Sequence, residues 1–191
     1  NTVRRCRVVD VKGSLGDGGA IYALGPQRGS RVEENVIDAF GVRAARGNRR
    51  GAAIYPDSGS SGLAIAANVV LRGCERCRWL SVSDDSIGEL EIRGNFVAAA
   101  RGHLMTLHLD GAVGADGQPA AGELRADAAM RVPARGVVVE DTSVLELDDA
   151  AKPALPDAAA AIVAAAGAAR DDEDLPSLVA GGGGTRFGVV Y

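Results

Sequence analysis

Aromatic residues are scarce: one Trp, three Tyr and three Phe make up 4% of the 191 residues. A core built around a few large rings is therefore excluded, and the interior has to come from Ala, Val, Leu and Ile in many small, repeated contacts. No apolar run approaches the roughly 20 residues that cross a bilayer as a helix, so no membrane partner is expected. Cysteine occurs three times, an odd number that does not make a disulfide framework. Cys74-x-x-Cys77 has the spacing of a redox pair or of half a zinc site, but no second pair and no nearby His accompanies it, and buried thiols are the plainer expectation. Asp110 and Asp116 lack the spacing of a calcium loop and read as turn residues. Neither a metal nor an organic cofactor is expected.

Charge of one sign does not dominate either. The net charge is −4, yet residues 1–51 hold ten Lys/Arg against five Asp/Glu, and residues 140–174 hold ten acids against two bases. Arg43, Arg46, Arg49 and Arg50 fall in one Gly/Ala-rich stretch with no interleaved aromatics, so a solvated loop is expected there and nucleic acid is not expected as a partner. The sequence begins with neither Met nor a basic-then-apolar leader, and it is expected to be part of a longer or processed chain.

What is present is a repeat. Val32-x-x-Asn35-x-Ile37, Ile65-x-x-Asn68-x-Val70 and Ile92-x-x-Asn95-x-Val97 share one pattern, and Asn1-x-Val3 reads as a truncated first copy. Ile21-Tyr22 and Ile54-Tyr55 stand at the same distance before their Asn. Apolar residues alternate over four to six positions, as in Leu63-x-Ile65, and glycines break the runs, which predicts short strands. No amphipathic helix separates them, so βαβ units are excluded. Identical residues at identical slots predict a β-solenoid, an all-β stack of parallel coils whose asparagines form a buried ladder. Of each Ile-Tyr pair, the Ile is expected inside and the Tyr outside.

The expected organisation is parallel coils over 1–150 with a lateral insertion near 43–51, a linker and capping helix over 151–169, and an acidic, glycine-rich flexible tail over 170–191. The helix begins after Pro156 with Asp157 as a capping residue, stops at Gly167, and is expected to lie on the last coil and cover its sheet edge. Beyond Asn95 the pattern blurs: residues 103–109 and 136–147 still alternate like strands, and residues 110–123 between them read as a loop.

"GDGGAIYALGPQRGSRVEENVI" together with "AAIYPDSGSSGLAIAANVV" resembles right-handed parallel β-helix proteins of carbohydrate-active type, the pectin lyase-like fold. "LPDAAAAIVAAAG" is similar to the tail helix of that group. The resemblance covers residues 1–98 and, loosely, 153–167. It implies a right-handed parallel β-helix with a short C-terminal α-helix, the C-terminal portion of a longer enzyme, secreted and monomeric, acting on a polysaccharide or oligosaccharide. It points to a glycoside hydrolase and less to a lyase; a non-catalytic glycan-binding or structural β-solenoid is the alternative.

Glycoside hydrolysis needs two carboxyls with divided roles. Counting back from the asparagines puts Asp57 and Asp84 at one slot, where the coil before has Leu24, and stacked slots lie about 4.8 Å apart. Close carboxylates push one pKa up and divide into acid and base. The family comparison implies Asp17 as partner instead, although on a straight strand it would stand about 20 Å from Asp57. The catalytic candidates are thus Asp57 first, with Asp17 and Asp84 competing to pair with it. Tyr22 and Tyr55 are candidates to stack on sugar rings. His103 resembles, weakly, the Gly-His of pectin-degrading β-helix hydrolases and is a further substrate-binding candidate.

Overall fold

A computed structural model describes residues 1–11, 18–39, 51–73, 77–82, 86–98, 104–120, 122–145 and 155–167, with backbone alone at 104 and 186–189. It is mostly β, with parallel sheets and one short helix. The chain opens with β1 (Thr2–Arg4) and β2 (Arg7–Val9). Three strand triplets follow: β3 (Gly19–Leu24), β4 (Pro26–Glu33), β5 (Val36–Asp38); β6 (Ala52–Pro56), β7 (Ser61–Ala66), β8 (Val69–Val70); and β9 (Arg78–Val82), β10 (Gly88–Arg93), β11 (Phe96–Val97). Each triplet gives one strand to each of three sheets in the same order. β1, β4, β7 and β10 pair in sheet A, β2, β5, β8 and β11 in sheet B, and β3, β6 and β9 in sheet C, every one of these pairings parallel.

Parallel pairing in register turns the sequence repeat into columns. Val3, Val32, Ile65 and Ile92 form one, and Val8, Ile37, Val70 and Val97 another. The residues of both columns from Val8 onward are buried, so apolar alternation with period two decides which face of each strand looks inward. The small aliphatic composition suits such columns, because each side chain meets a similar neighbour at the strand spacing.

Asn35, Asn68 and Asn95 are fully buried and stack. Asn35 Nδ2 donates to Asn68 Oδ1, and Asn68 Nδ2 to Asn95 Oδ1, both at 3.0 Å. The same Oδ1 atoms accept the backbone N–H of the preceding rung, at 3.1 and 3.0 Å. Each Nδ2 also donates to a carbonyl one pass back, Val3, Val32 or Ile65, at 2.9, 2.9 and 3.1 Å. Polar groups this deep persist only when bonded.

A left-handed residue precedes every rung. Arg5, Glu34, Ala67, Gly94 and Asp141 have φ between 52° and 60° and turn the chain from sheet A into sheet B. Only one is glycine, so the other four hold a conformation that disfavours a Cβ. At the outer surface of this corner Arg4 and Arg5 donate to the two oxygens of Glu34 at 2.6 and 2.7 Å and hold its carboxyl down at about 2. Exposed pairs of this kind stabilise little.

The ladder has two further positions that no asparagine marks. The register places Cys6, not Asn1, at the first one. Its N–H donates to Asn35 Oδ1 at 3.0 Å, while the Asn1 ammonium reaches Ser30 Oγ at 3.3 Å, so the expected truncated copy at Asn1-x-Val3 is out of step by five residues. Past Asn95 the chain leaves the pattern. β12 (Leu104–Leu107) pairs parallel to β9 and antiparallel to β14 (Gly122–Arg125). Within the stretch expected as a loop, β13 (Val113–Gly114) joins β15 (Met130–Val132), which runs antiparallel to β16 (Val137–Glu140); Asp116 Oδ1 accepts the Gln118 N–H at 3.0 Å as a turn residue. β16 then rejoins β10, and β17 (Ser143–Val144) rejoins β11, which brings Thr142 onto Asn95. Thr142 is 8% exposed and its Oγ1 has no hydrogen-bond partner among the described residues. Thr142→Asn would offer Asn95 the acceptor and Ile92 the donor found at the other rungs. The substitution is expected to raise stability by about 1 kcal/mol, measurable as a higher urea midpoint at unchanged slope.

The helix α1 (Asp157–Ala165) follows Pro156, but Pro156 occupies the cap position and Asp157 the first turn, with no side-chain capping bond. It does not cover an edge of the last pass. Ala159 and Ala166 pack with Val36 and Val69, against which Phe96 and Ile162 also lie, so the helix rests on the outer face of sheet B across several passes. At its end Gly167 donates to the Arg5 carbonyl at 3.0 Å. Of the tail, Arg186–Val189 form β18, antiparallel to β3. Cys77 is buried and disulfide-bonded, unlike the thiol expected there, and Cys6 is a free, exposed thiol. Residues 43–50 of the expected insertion lie outside the described residues.

Candidate functional site

Sheet C carries the chemistry singled out in the sequence. Tyr22 pairs in register with Tyr55, and Ile21 with Ile54. The isoleucines are 2% and 1% exposed while both tyrosines are half-buried, so the rings are on the outer face as expected. Their centroids are 5.6 Å apart at 85°, edge to face, the geometry the ring quadrupole favours. The next slot holds Ser81, which ends the aromatic column after two members.

Asp57 directly follows β6 at the slot that Leu24 fills one pass earlier, and its N–H donates to the Ala23 carbonyl at 2.8 Å. The exchange of Leu24 for Asp57 gives Tyr22 a partner across the pass: Tyr22 Oη donates to Asp57 Oδ2 at 2.5 Å. Asp57 Oδ1 accepts the Ser58 N–H at 2.8 Å and the Ser58 hydroxyl at 3.3 Å. The turn beneath is pinned by Ser60 N–H to the Asp57 carbonyl at 2.9 Å and by Gly59 N–H to Ser86 Oγ at 2.6 Å. Two tyrosine rings, edge to face, and a carboxylate whose oxygens accept from hydroxyl and amide donors thus meet at one outer corner. Such a corner can stack on the C–H face of a sugar and accept its hydroxyls.

Asp17, Asp84 and His103 lie outside the described residues. Between Leu80 and Gly88 the offset from the preceding strands changes from 26, at Ile54↔Leu80, to 27, at Ser61↔Gly88.

A concavity of about 320 Å³ lies on the outer face of sheet A and does not include Asp57. Its floor is Gly62 and Ala64 of β7, and its walls include Arg31 of β4 and Glu89 and Glu91 of β10. The column Arg31–Ala64–Glu91 explains it, since a small residue between two long ones leaves a trough. The Asn register contains that column, although no motif draws attention to it. No protein-family model, no curated protein and no solved structure matches the chain.

Proposed function

We propose that the chain forms coils of a right-handed parallel β-helix and acts on a polysaccharide outside the cell, as a glycoside hydrolase-like domain with Asp57 as its first catalytic carboxyl. The fixed order of visits to three sheets, the in-register columns and the asparagine ladder support the solenoid part of this reading. The observation that carries the functional part is the meeting of Tyr22, Tyr55 and Asp57 at one outer corner. In this reading Tyr22 and Tyr55 hold the sugar, a substrate hydroxyl replaces the Tyr22 hydroxyl on Asp57, and Asp84 or Asp17 supplies the second carboxyl. His103 is a further substrate contact, no metal or organic cofactor takes part, and the domain works as a monomer.

A second reading, a non-catalytic glycan-binding solenoid, is favoured by one observation: both Asp57 oxygens already accept hydrogen bonds within the protein. Reducing-sugar release on a polysaccharide panel separates the two, with binding to the same panel measured in parallel. Asp57→Asn is expected to lower turnover by roughly 100-fold or more while leaving the circular dichroism spectrum unchanged. Binding that survives the substitution, with no product from either protein, would instead establish the binding module.

A further inference from the structure

The outer face of sheet A carries its charged side chains in columns that run across the passes. In the column of Arg4, Glu33, Ala66, Arg93 and Glu140, opposite charges fall on adjacent strands and pair, Arg4 with Glu33 at 3.4 Å and Arg93 with Glu140 at 2.7 Å. The column of Thr2, Arg31, Ala64, Glu91 and Val138 holds an Arg and a Glu as well, but with a strand between them. Arg31 and Glu91 stand on either side of Ala64, two strand spacings or about 9.6 Å apart at the backbone. Arg31 Nη1 reaches Glu33 of its own strand at 3.3 Å, a surface contact that contributes little. Glu89 and Glu91 have no hydrogen-bond or ion-pair partner among the described residues.

These three side chains wall the trough over Gly62 and Ala64. β1 and β16 lie beyond its walls, so the trough is inside the sheet and not at an edge. β7, its floor, is paired on both sides and presents no free backbone row to an added strand. Among the described residues no aromatic ring lines it, so it lacks the stacking surface that Tyr22 and Tyr55 offer a sugar. Glu89 joins the acidic wall from a left-handed slot, φ +50°, that Gly29, Gly62 and Gly136 fill on neighbouring strands. A carboxylate is carried there against the preference of the backbone. What the trough offers is a positive wall, a negative wall and a short apolar floor between them.

We propose that this trough binds a small zwitterion, its ammonium held between Glu89 and Glu91, its carboxylate on Arg31, and a short methylene chain over Gly62 and Ala64. The guanidinium fork grips a carboxylate with two parallel bonds, and the two Glu side chains supply acceptors for all three ammonium N–H groups. With two acids against one base, a bare amine is the second-best occupant and a bare carboxylate the poorest. The site is on a different sheet from Asp57 and stands whether or not that residue is catalytic.

The test titrates the isotope-labelled full chain with γ-aminobutyrate, butylamine and butyrate at low ionic strength, where exposed pairs are least screened, and follows the amide resonances of Gly62, Leu63 and Ala64. γ-Aminobutyrate is expected to bind roughly fivefold tighter than butylamine, the factor that one exposed ion pair supplies, and butylamine tighter than butyrate. Arg31→Gln should remove the advantage of the zwitterion over the amine. Ala64→Leu, which fills the floor and leaves all three charges in place, should abolish the shifts, with circular dichroism checking the fold of both variants. The proposal is overturned if these amides show no saturable shift, if the zwitterion binds no tighter than the amine, or if Ala64→Leu binds like the unsubstituted chain. The first two comparisons use that chain alone, so a substitution that impaired folding would not leave the question open.

Discussion

Asn68→Ala is expected to lower the free energy of unfolding by about 3–5 kcal/mol, measured by urea denaturation. Asn68 is the middle rung, and its side chain serves both neighbours. Its Oδ1 accepts the N–H and Nδ2 of Asn35, and its Nδ2 donates to the Val32 carbonyl and to Asn95 Oδ1. Truncation leaves the buried Asn35 N–H and Val32 carbonyl short of a partner, at about 1–3 kcal/mol each, and opens a small void. The end of the ladder offers a comparison, because a side chain at position 142 faces only one neighbouring rung among the described residues. Asn68→Asp is the sharper variant. A carboxylate there aims lone pairs at the Val32 carbonyl and Asn95 Oδ1 in a fully buried site, so its folded pKa is raised above the unfolded value near 4. The folded state then binds more protons than the unfolded state, and stability falls as pH rises above about 4. Partial recovery of Asn68→Asp on acidification, absent from Asn68→Ala, identifies the lost donor as the cause.

The rungs at Asn35, Asn68 and Asn95 are legible in sequence because a buried amide column tolerates few substitutes and keeps its spacing from the apolar residues beside it. The inward Ile and outward Tyr follow from alternation alone. Cys6 and Thr142 are not legible as rungs, since neither carries the amide that marks the others and Cys6 meets the column through its backbone N–H on Asn35 Oδ1. Thr142 is further hidden by the antiparallel strands between Asn95 and its own pass. The pairing of β18 with β3 has no local signal, for it joins opposite ends of the sequence. The helix is legible in place but not in docking, because its Ala-rich surface has no distinct stripe to say which face is buried. At the candidate site the shared slot of Leu24 and Asp57 is readable, whereas the Tyr22 to Asp57 bond requires two passes to be stacked first.

Gly62→Ala is expected to cost about 2–4 kcal/mol, and Gly94→Ala no more than about 1 kcal/mol, although both glycines are left-handed. Gly62 has φ +70° and belongs to a column with Gly29 (+73°), Glu89 (+50°) and Gly136 (+65°), a stacked irregularity running across sheet A beside the trough. Conformation alone does not demand glycine there, since Glu89 occupies the same slot. Space does: an added Cβ at Gly62 would sit 2.7 Å from Arg28 Cα and 3.2 Å from its backbone N, atoms that move only if β4 moves. Gly94 has φ +60° with nothing within 4 Å of an added Cβ, and the same corner one pass earlier holds Ala67 at +52°. The pair therefore separates strain from crowding at nearly equal φ. Chemical denaturation of the two variants gives the answer directly: a loss at Gly62 no greater than at Gly94 would mean that the Arg28 main chain yields, and that the close approach of β4 and β7 is not fixed by the column.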